Sequence, residues 1–354
     1  MKIKILDTGI FIKENFFHGK KINSLLSLSI KGIIEIYITE ITYNELKNKF
    51  SSFLDKAISN HKKFTKEQEN WILRNNKNSD KLFEKIDKTT IETEFENKLD
   101  DFIKEGVIKV IPYKSINIKS VFDNYFQGLP PFGNGDKKSE FPDAFSLGLI
   151  KDYLSTKGFD AVVFSTDKDF IKCSSSSLEI TNEYDKYLDE KFKHLDKIKS
   201  DITNILFLQN KEFLKQSFVD WYKSNLDDFS LYYEAVNYKE IYDLTIDEDD
   251  IEIGDLEYNI VNIEDDVVII EVTGDVNVKV SVLTDDEEFM YYDSDDKSYH
   301  YLETNFETFE KKFNSKMIVT TEIISEEDYF EDFEIESIND GVKVSFNIEN
   351  KYYD

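Results

Sequence analysis

Four acidic residues occupy similar positions along the first half of the chain, each at the end of a predicted strand or at the start of the following helix. Their local sequences are "IKILD" for Asp7, "ITYNEL" for Glu45, "SEFPDAF" for Asp143 and "VVFSTDKDF" for Asp167. In a parallel sheet such positions share one edge, which is where ligands bind. The four carboxylates are therefore expected to converge.

Converging carboxylates repel one another and require a cation to neutralise them. Oxygen ligands without His or Cys suit Mg²⁺ or Mn²⁺, which can activate water and neutralise charge on a phosphodiester. Each acid alone also has a structural interpretation. Asp7 could cap a helix, Glu45 could be a solvated helix residue, and Asp143 could be a first-turn acid beside Pro142. The order and spacing of the four together favour the metal site.

In this order, the stretches "ILDTGIFI", "ITEITYNEL", "KKSEFPDAF" and "VVFSTDKDF" resemble the acidic motifs of PIN-like nuclease domains. The resemblance covers about residues 1–182 and none of the C-terminal third. It implies a metal-dependent nuclease, and we predict that the nuclease is an endoribonuclease. Because the family includes toxins of toxin–antitoxin pairs, it also implies a toxin or phage-defence role.

The motifs of the resembling family can be transferred to this sequence residue by residue. The matching metal-binding and catalytic acids are Asp7, Glu45, Asp143 and Asp167, and the adjacent acids that would serve as extra metal ligands are Glu140 and Asp169. One position departs from the pattern, since the family usually has Asn or Ser where this chain has Gly9. The departure removes a hydrogen bond near the ligands. It leaves open a catalytically inactive PIN-like protein with a nucleic-acid-binding or regulatory role.

Three other enzyme classes are disfavoured by their missing residues. A haloacid-dehalogenase-like phosphatase would need a second acid at the position of Gly9. A Toprim nuclease could use Asp167 and Asp169, but it would also need a Gly-flanked Glu at the end of its first strand. A dinucleotide-binding domain would need a Gly-x-Gly-x-x-Gly turn after the first strand, and the sequence has none.

Basic and aromatic residues near the acids are candidates for substrate contacts. Lys137 and Lys138 follow the glycines of "FGNGDKKSE", and this loop either grips phosphates or is simply solvated. Lys168 either touches the substrate or offsets the repulsion between neighbouring acids. Aromatic residues that could stack on bases, but are more often buried in a core, are Trp71, Tyr125 and Phe132.

Strand and helix patterns alternate through the first half of the chain, which predicts an α/β fold with a parallel sheet flanked by helices. Residues 10–28 are predicted to be largely helical. A helical insertion is predicted over about residues 50–105, with a soft break at Thr89 and Thr90. Gly106 and Gly128 are expected to end helices, the former as a left-handed C-cap.

The rest of the chain changes in pattern and in charge. A helical connector is predicted over 183–233, followed by an antiparallel β domain over 234–354, arranged as a sheet, sandwich or barrel. Residues 231–354 hold 36 of the 72 acidic residues but only 8 of the 44 basic ones, so the net charge of −28 lies entirely there. This acidic surface is either solvated, a docking surface for a protein partner, or a nucleic-acid mimic that restrains the nuclease.

Several features of the sequence indicate the cellular compartment of the protein. No apolar run approaches the length of a membrane span, and the N-terminus lacks the pattern of a secretory signal. Cys173 is the only cysteine, which rules out an intrachain disulfide, and the four histidines share no ligand spacing. We therefore predict a cytoplasmic protein that contacts nucleic acid, RNA rather than DNA, and no membrane.

Overall fold

The computed structural model describes residues 2–74, 76, 78–113, 118–132, 140–224, 231–232, 241–245, 250–295, 297–323, 333–339 and 346–347. The chain divides into two compact units, Met1–Tyr187 and Leu188–Asp354.

The first unit is built on a five-stranded, wholly parallel sheet with the order β3-β2-β1-β4-β5. The strands are β1 Ile3–Leu6, β2 Ile36–Thr39, β3 Ile108–Ile111, β4 Ala161–Phe164 and β5 Leu178–Thr181. All four residues of β1, β2 and β4 are buried, as expected for parallel strands covered on both faces. The predicted α/β class is confirmed.

Helices cover this sheet and supply the residues that follow each strand. They are α1 Thr8–Lys13, α2 Lys20–Ile30, α3 Glu40–Lys66, α4 Trp71–Arg74, α5 Lys88–Lys104, α6 Ile118–Gln127, α7 Phe141–Lys157 and α8 Lys168–Ile171. Short 3₁₀ turns lie at Gln68–Asn70 and Asp80–Phe83. Gly106 and Gly128 follow α5 and α6 with φ of 76° and 64°, which confirms that both glycines end helices in the left-handed region.

Two helix predictions were wrong in detail. The predicted helix over 10–28 is split into α1 and α2, because Asn15 and Phe16 adopt positive φ between them. The predicted helical insertion over 50–105 is interrupted before Asp87 rather than at Thr89. The Asp87 side chain caps α5 by accepting hydrogen bonds from the amides of Thr89 and Thr90, so those residues begin the helix instead of interrupting it.

The register of the sheet aligns the ends of its central strands. Ile5 lies beside Tyr37 of β2 and Val163 of β4, so β1 and β4 end at the same level and β2 ends one residue further on. The residues that follow these strands are therefore neighbours at the carboxyl edge of the sheet. This edge is the place at which the acidic residues were expected to meet.

The second unit combines helices with long antiparallel strands. Its helical part is α9 Tyr184–Leu195, α10 Lys197–Gln209 and α11 Lys211–Ser224. Its strands are β6 Leu231–Tyr232, β7 Ile241–Thr245, β8 Ile251–Glu264, β9 Val267–Asp285, β10 Met290–Asp293, β11 Ser298–Tyr301, β12 Thr304–Glu322, β13 Glu334–Ile338 and β14 Phe346–Asn347. In the described ranges the helical prediction over 183–233 ends at Ser224, since Leu231 and Tyr232 are a strand paired with β14.

Strand β9 is the centre of the second unit. It pairs with β12 along its whole length on one side and with β7 and β8 on the other, all antiparallel. Helix α11 packs on this sheet, where Val219 and Tyr222 are buried with Val276 and Val278. The main sheet thus confirms the antiparallel prediction. The described strands form one five-stranded antiparallel sheet and two small pairs, antiparallel β10–β11 and parallel β6–β14, rather than a sandwich or barrel.

Among the helices that the structure describes, none combines the length and the apolar character needed to cross a membrane.

Candidate functional site

Asp7 and Ser165 lie side by side where the two central strands end. Asp7 follows β1, and its backbone N–H donates to the carbonyl of Phe164, the last residue of β4, at 3.0 Å. The hydroxyl of Ser165, which is wholly buried, donates to Oδ2 of Asp7 at 2.7 Å. The parallel register thus fixes the position of the first acid.

Asp7 acts as a helix cap and also faces other acids. Its Oδ1 accepts the amide of Thr8 at 2.8 Å, which caps α1. Burial is the main reason why the pKa of Asp7 is raised, and the charges of Glu45 and Asp167 raise it further. The hydrogen bonds from Ser165 and Thr8 favour the ionised form but do not fully offset these effects. Capping and an electrostatic role are therefore compatible at this position.

Glu45 is placed by hydroxyl groups at the start of α3. The Thr8 hydroxyl donates to Oε2 of Glu45 at 2.6 Å, which connects the acid to the residue after Asp7. Thr39 caps α3 by accepting the amide of Thr42, and its hydroxyl lies 3.2 Å from that of Ser146 on α7. These contacts hold α3 and α7 in a fixed relation, so Glu45 is brought towards the first turn of α7.

Asp143 lies in a largely buried position among other acids. It lies in the first turn of α7, directly after Pro142, which suits the start of a helix. Burial raises the pKa of Asp143 to about 7, and the charges of four acids add to the rise; these are Asp7, Glu45, Asp167 and Glu140. Among the described residues, no hydrogen bond reaches its carboxylate. A carboxyl group with a pKa near neutrality indicates an environment in which burial, and secondarily neighbouring acids, disfavour the ionised form.

Asp167 caps the short helix α8. Its Oδ1 accepts the amides of Asp169 and Phe170 at 2.6 and 3.0 Å, and its own N–H donates to the hydroxyl of Ser165 at 3.1 Å. The side chain of Asp169 forms an ion pair with Lys172 at 2.6 Å. Lys168 is exposed at the start of α8. Ser165 therefore links Asp7 to the backbone of Asp167.

The structure places four of the predicted acids close together, and the other candidate site residues have different surroundings. Asp7, Glu45, Asp143 and Asp167 interact electrostatically, and Glu140 lies close enough to Asp143 to raise its pKa. Asp169 neighbours Asp167 but is paired with a lysine. Lys137 and Lys138 lie outside the described residues.

The aromatic candidates for base stacking differ in exposure. Phe132 is buried with only 1% of its surface exposed, so the stacking interpretation is wrong for this residue. Tyr125 is half-buried against Phe132 and Phe141, with ring centroids 5.4 and 5.1 Å away. Trp71 is half exposed on α4.

Gly9 leaves room for a neighbouring side chain. A Cβ atom at this position would collide with the hydroxyl of Thr166, and it would lie 3.6 Å from Oδ2 of Asp7. The family that the motifs resemble carries an Asn or Ser side chain in this space. In this chain the side chain of Thr166, which follows β4, occupies the space instead.

The positioning residues Thr8, Ser165 and Ser146 were missed by sequence reasoning. Thr8 and Ser165 lie within the quoted motifs, directly beside Asp7 and two residues before Asp167, but a hydroxyl next to an acid carries no sequence signal of its own. Ser146 follows Asp143 by three residues, which places it on the next turn of the same helix. A search for hydroxyls at strand ends could have found the first two.

The acids are close but do not form a closed ligand set. Within the described ranges, no three His, Cys, Asp or Glu side chains lie close enough together to hold a metal ion in this conformation. Their chemistry, oxygen only, is that of a site for a hard divalent cation.

The first unit is thus a parallel α/β domain with an acidic carboxyl edge. Residues 5–170 match the sequence profile of a PIN domain family, in agreement with the resemblance of the acidic motifs. This match suggests a nuclease-type fold. Comparisons with curated proteins and with solved structures found no match.

Proposed function

We propose that this protein is a metal-dependent phosphodiesterase that cleaves nucleic acid internally, with RNA as the preferred substrate. The observation that carries the proposal is the grouping of Asp7, Glu45, Asp143 and Asp167 at the carboxyl edge of the sheet, where burial and the other three charges raise the pKa of Asp143 to about 7. Carboxylates that disfavour each other's ionisation in this way are stabilised by a bound cation. PIN domains typically use divalent metals.

Mg²⁺ or Mn²⁺ would be held by Asp7, Glu45, Asp143 and Asp167, with Glu140 and Asp169 as further ligands. Such an ion supplies an activated water and neutralises charge on the phosphodiester. The donor chemistry fits these ions because all ligands are carboxylate oxygens. Among the described side chains, no three of these groups lie close enough together to hold the ion.

The surrounding residues of the chain have supporting roles in this proposal. Ser165 and Thr8 fix Asp7 and Glu45 by hydrogen bonds of 2.7 and 2.6 Å. Lys168, exposed beside Asp167, and the pair Lys137 and Lys138 would contact backbone phosphates of the substrate. We expect Lys137→Ala with Lys138→Ala to weaken binding and to flatten its salt dependence, because fewer counterions are released.

A second candidate function is a PIN-like protein without catalysis that binds nucleic acid or regulates a partner. The open arrangement of the acids favours it, since no described group is ready to hold an ion. The two functions differ in metal binding. If the acids form a site, Mn²⁺ raises the melting temperature by linkage to the folded state, and Asp7→Asn with Asp167→Asn removes the increase.

The experiment that tests the proposal is incubation of the full chain with labelled RNA and DNA pools in Mn²⁺, Mg²⁺ or EDTA. We expect cleavage of RNA with either metal, none with EDTA, and none for Asp143→Asn. The matched control is Asp160→Asn, which alters an exposed acid before β4, at the opposite edge of the sheet. Metal-independent cleavage, or full cleavage by Asp143→Asn, would refute the assignment.

We further propose a toxin or phage-defence role, a cytoplasmic location and a protein partner for the acidic C-terminal region. These proposals are supported by the charge pattern of the sequence and by its resemblance to the family.

A further inference from the structure

Helix α6 carries a stripe of exposed apolar residues. Ile118, Phe122 and Phe126 follow one another at intervals of four, so they lie along one face of the helix. Their exposed fractions are 59%, 41% and 76%. Single exposed apolar residues are ordinary, but a contiguous row on one helix face is typical of a binding surface.

The stripe is joined to the helix that carries Asp143. On the inner side of α6, Val121 is buried in a small cluster with Phe132 and Ala144 of α7. The ring of Phe122 lies 5.6 Å from that of Phe141, the first residue of α7, and 6.2 Å from that of Phe126. A chain of aromatic rings therefore runs from the exposed end of α6 to the residue two positions before Asp143.

The position of Asp143 on α7 determines how the exposed aromatic rings of α6 lie relative to the acidic residues. Residues two apart on a helix point in nearly opposite directions, so Phe141 and Asp143 lie on opposite sides of the first turn of α7. The aromatic stripe and the carboxylate of Asp143 thus lie on different sides of the start of α7. A strand that passes the carboxylates and continues past α7 would meet the stripe.

We propose that Phe122 and Phe126 stack on the bases of a single-stranded nucleic acid whose backbone reaches the acidic edge. This inference rests on the proposed function and names the form of its substrate. Exposed rings stack on any base, but only a single strand offers unpaired bases to them. Lys119, exposed on the same helix, adds positive charge for the phosphates.

An aromatic surface next to the acids favours this ligand over a protein partner. The stripe reaches Phe141 in the first turn of α7, and a substrate that is cut at Asp143 must pass that turn. Phe126 is the better test residue, because Phe122 also contacts Phe141 and its removal disturbs the packing of α7.

The test uses the full chain in the Asp143→Asn background, in which binding can be measured with Mg²⁺ present. The probes are a fluorescent single-stranded RNA, the same RNA as a duplex, and an abasic strand of equal length. We expect Phe126→Ala to weaken binding of the single strand by about 5- to 100-fold. Binding of the duplex and of the abasic strand should stay within about twofold.

The matched control is Phe159→Ala. Phe159 is a partly exposed ring that precedes β4 at the opposite edge of the sheet, and its removal should leave binding of every probe unchanged. Circular dichroism and the melting temperature establish that both variants are folded.

The proposal is overturned if Phe126→Ala binds the single strand as tightly as its parent, or if it loses affinity for the abasic strand equally. It is also overturned if the parent binds none of the probes, or if Phe126→Ala changes the oligomeric mass and leaves strand binding intact, since the stripe is then a contact between copies. If the natural chain does not cleave RNA while binding of the single strand still depends on Phe126, the nuclease function alone is refuted.

Discussion

The hydroxyl of Ser165 donates a hydrogen bond of 2.7 Å to Asp7 and accepts one of 3.1 Å from the backbone of Asp167. One buried side chain thus connects the acid after β1 with the acid that follows β4. Because the bond to Asp7 favours the ionised carboxylate, Ser165 keeps that acid closer to the state in which it can bind a cation.

We expect Ser165→Ala to raise the pKa of Asp7 further and to weaken binding of Mn²⁺ by about 10- to 100-fold, the range for residues that orient metal ligands. The stability of the fold should fall by about 1–2 kcal/mol, because the amide of Asp167 and the carboxylate of Asp7 lose a partner. Calorimetric titration with Mn²⁺ measures the first effect. Ser155→Ala, an exposed hydroxyl that bonds only within α7, is the control. Unchanged affinity would show that Ser165 does not position Asp7.

Asp143→Asn should stabilise the metal-free protein at pH 8. The folded-state pKa of about 7 lies above the value of about 3.9 for an unfolded chain, so ionised Asp143 opposes folding. The penalty grows as the pH rises from about 4 to about 7 and is constant above. We expect a gain of about 1–3 kcal/mol at pH 8 that shrinks towards pH 4, measured by urea unfolding in EDTA.

Asp160→Asn, at an exposed acid away from the site, should show no such pH dependence. A difference between Asp143→Asn and the natural chain that is the same at pH 4.5 and pH 8 would contradict the raised pKa of Asp143.

Gly9 and Thr166 should show coupled effects on stability. Alanine is a better helix former than glycine by about 1 kcal/mol, but at Gly9 its Cβ would collide with the Thr166 hydroxyl. We therefore expect Gly9→Ala in the natural chain to leave the free energy of unfolding unchanged or to lower it by about 1 kcal/mol. In a Thr166→Ala background the same substitution should raise the free energy of unfolding. A double-mutant cycle by urea unfolding measures the coupling, and additive effects would show that the two residues do not compete for space.

The acidic region should slow cleavage at low salt. Residues 231–354 carry the whole net charge of −28 and repel nucleic acid within about 8 Å at physiological salt. A shortened chain is expected to cleave RNA faster than the full chain at low salt, with the difference narrowing as salt rises. The shortened chain should end after α9, at Leu195. An end near residue 230 would retain α11, whose Val219 and Tyr222 are buried against the sheet of the second unit.

The control for this comparison is a cooperative melting transition of the shortened chain. If it is folded yet equally active or slower at every salt concentration, the acidic region is not a restraint. A role in docking a partner would then be favoured.

The sequence by itself determined the elements and their order. Apolar runs ending in an acid predicted the parallel strands, glycines after α5 and α6 predicted the helix ends, and the four acidic motifs predicted the PIN domain. These features are encoded locally, because strand burial, helix capping and turn geometry depend on residues close in the chain.

Only the tertiary structure decided what lies beside each acid. The contacts from Ser165 to Asp7 and from Thr8 to Glu45 join residues 158 and 37 positions apart, so no local pattern could predict them. The same holds for the pKa of Asp143, which depends on burial and on charges from three other elements. The exposure of the aromatic residues was also decided by the tertiary structure. Phe132 is buried by packing against α7, whereas Phe126 has the same side chain but is exposed.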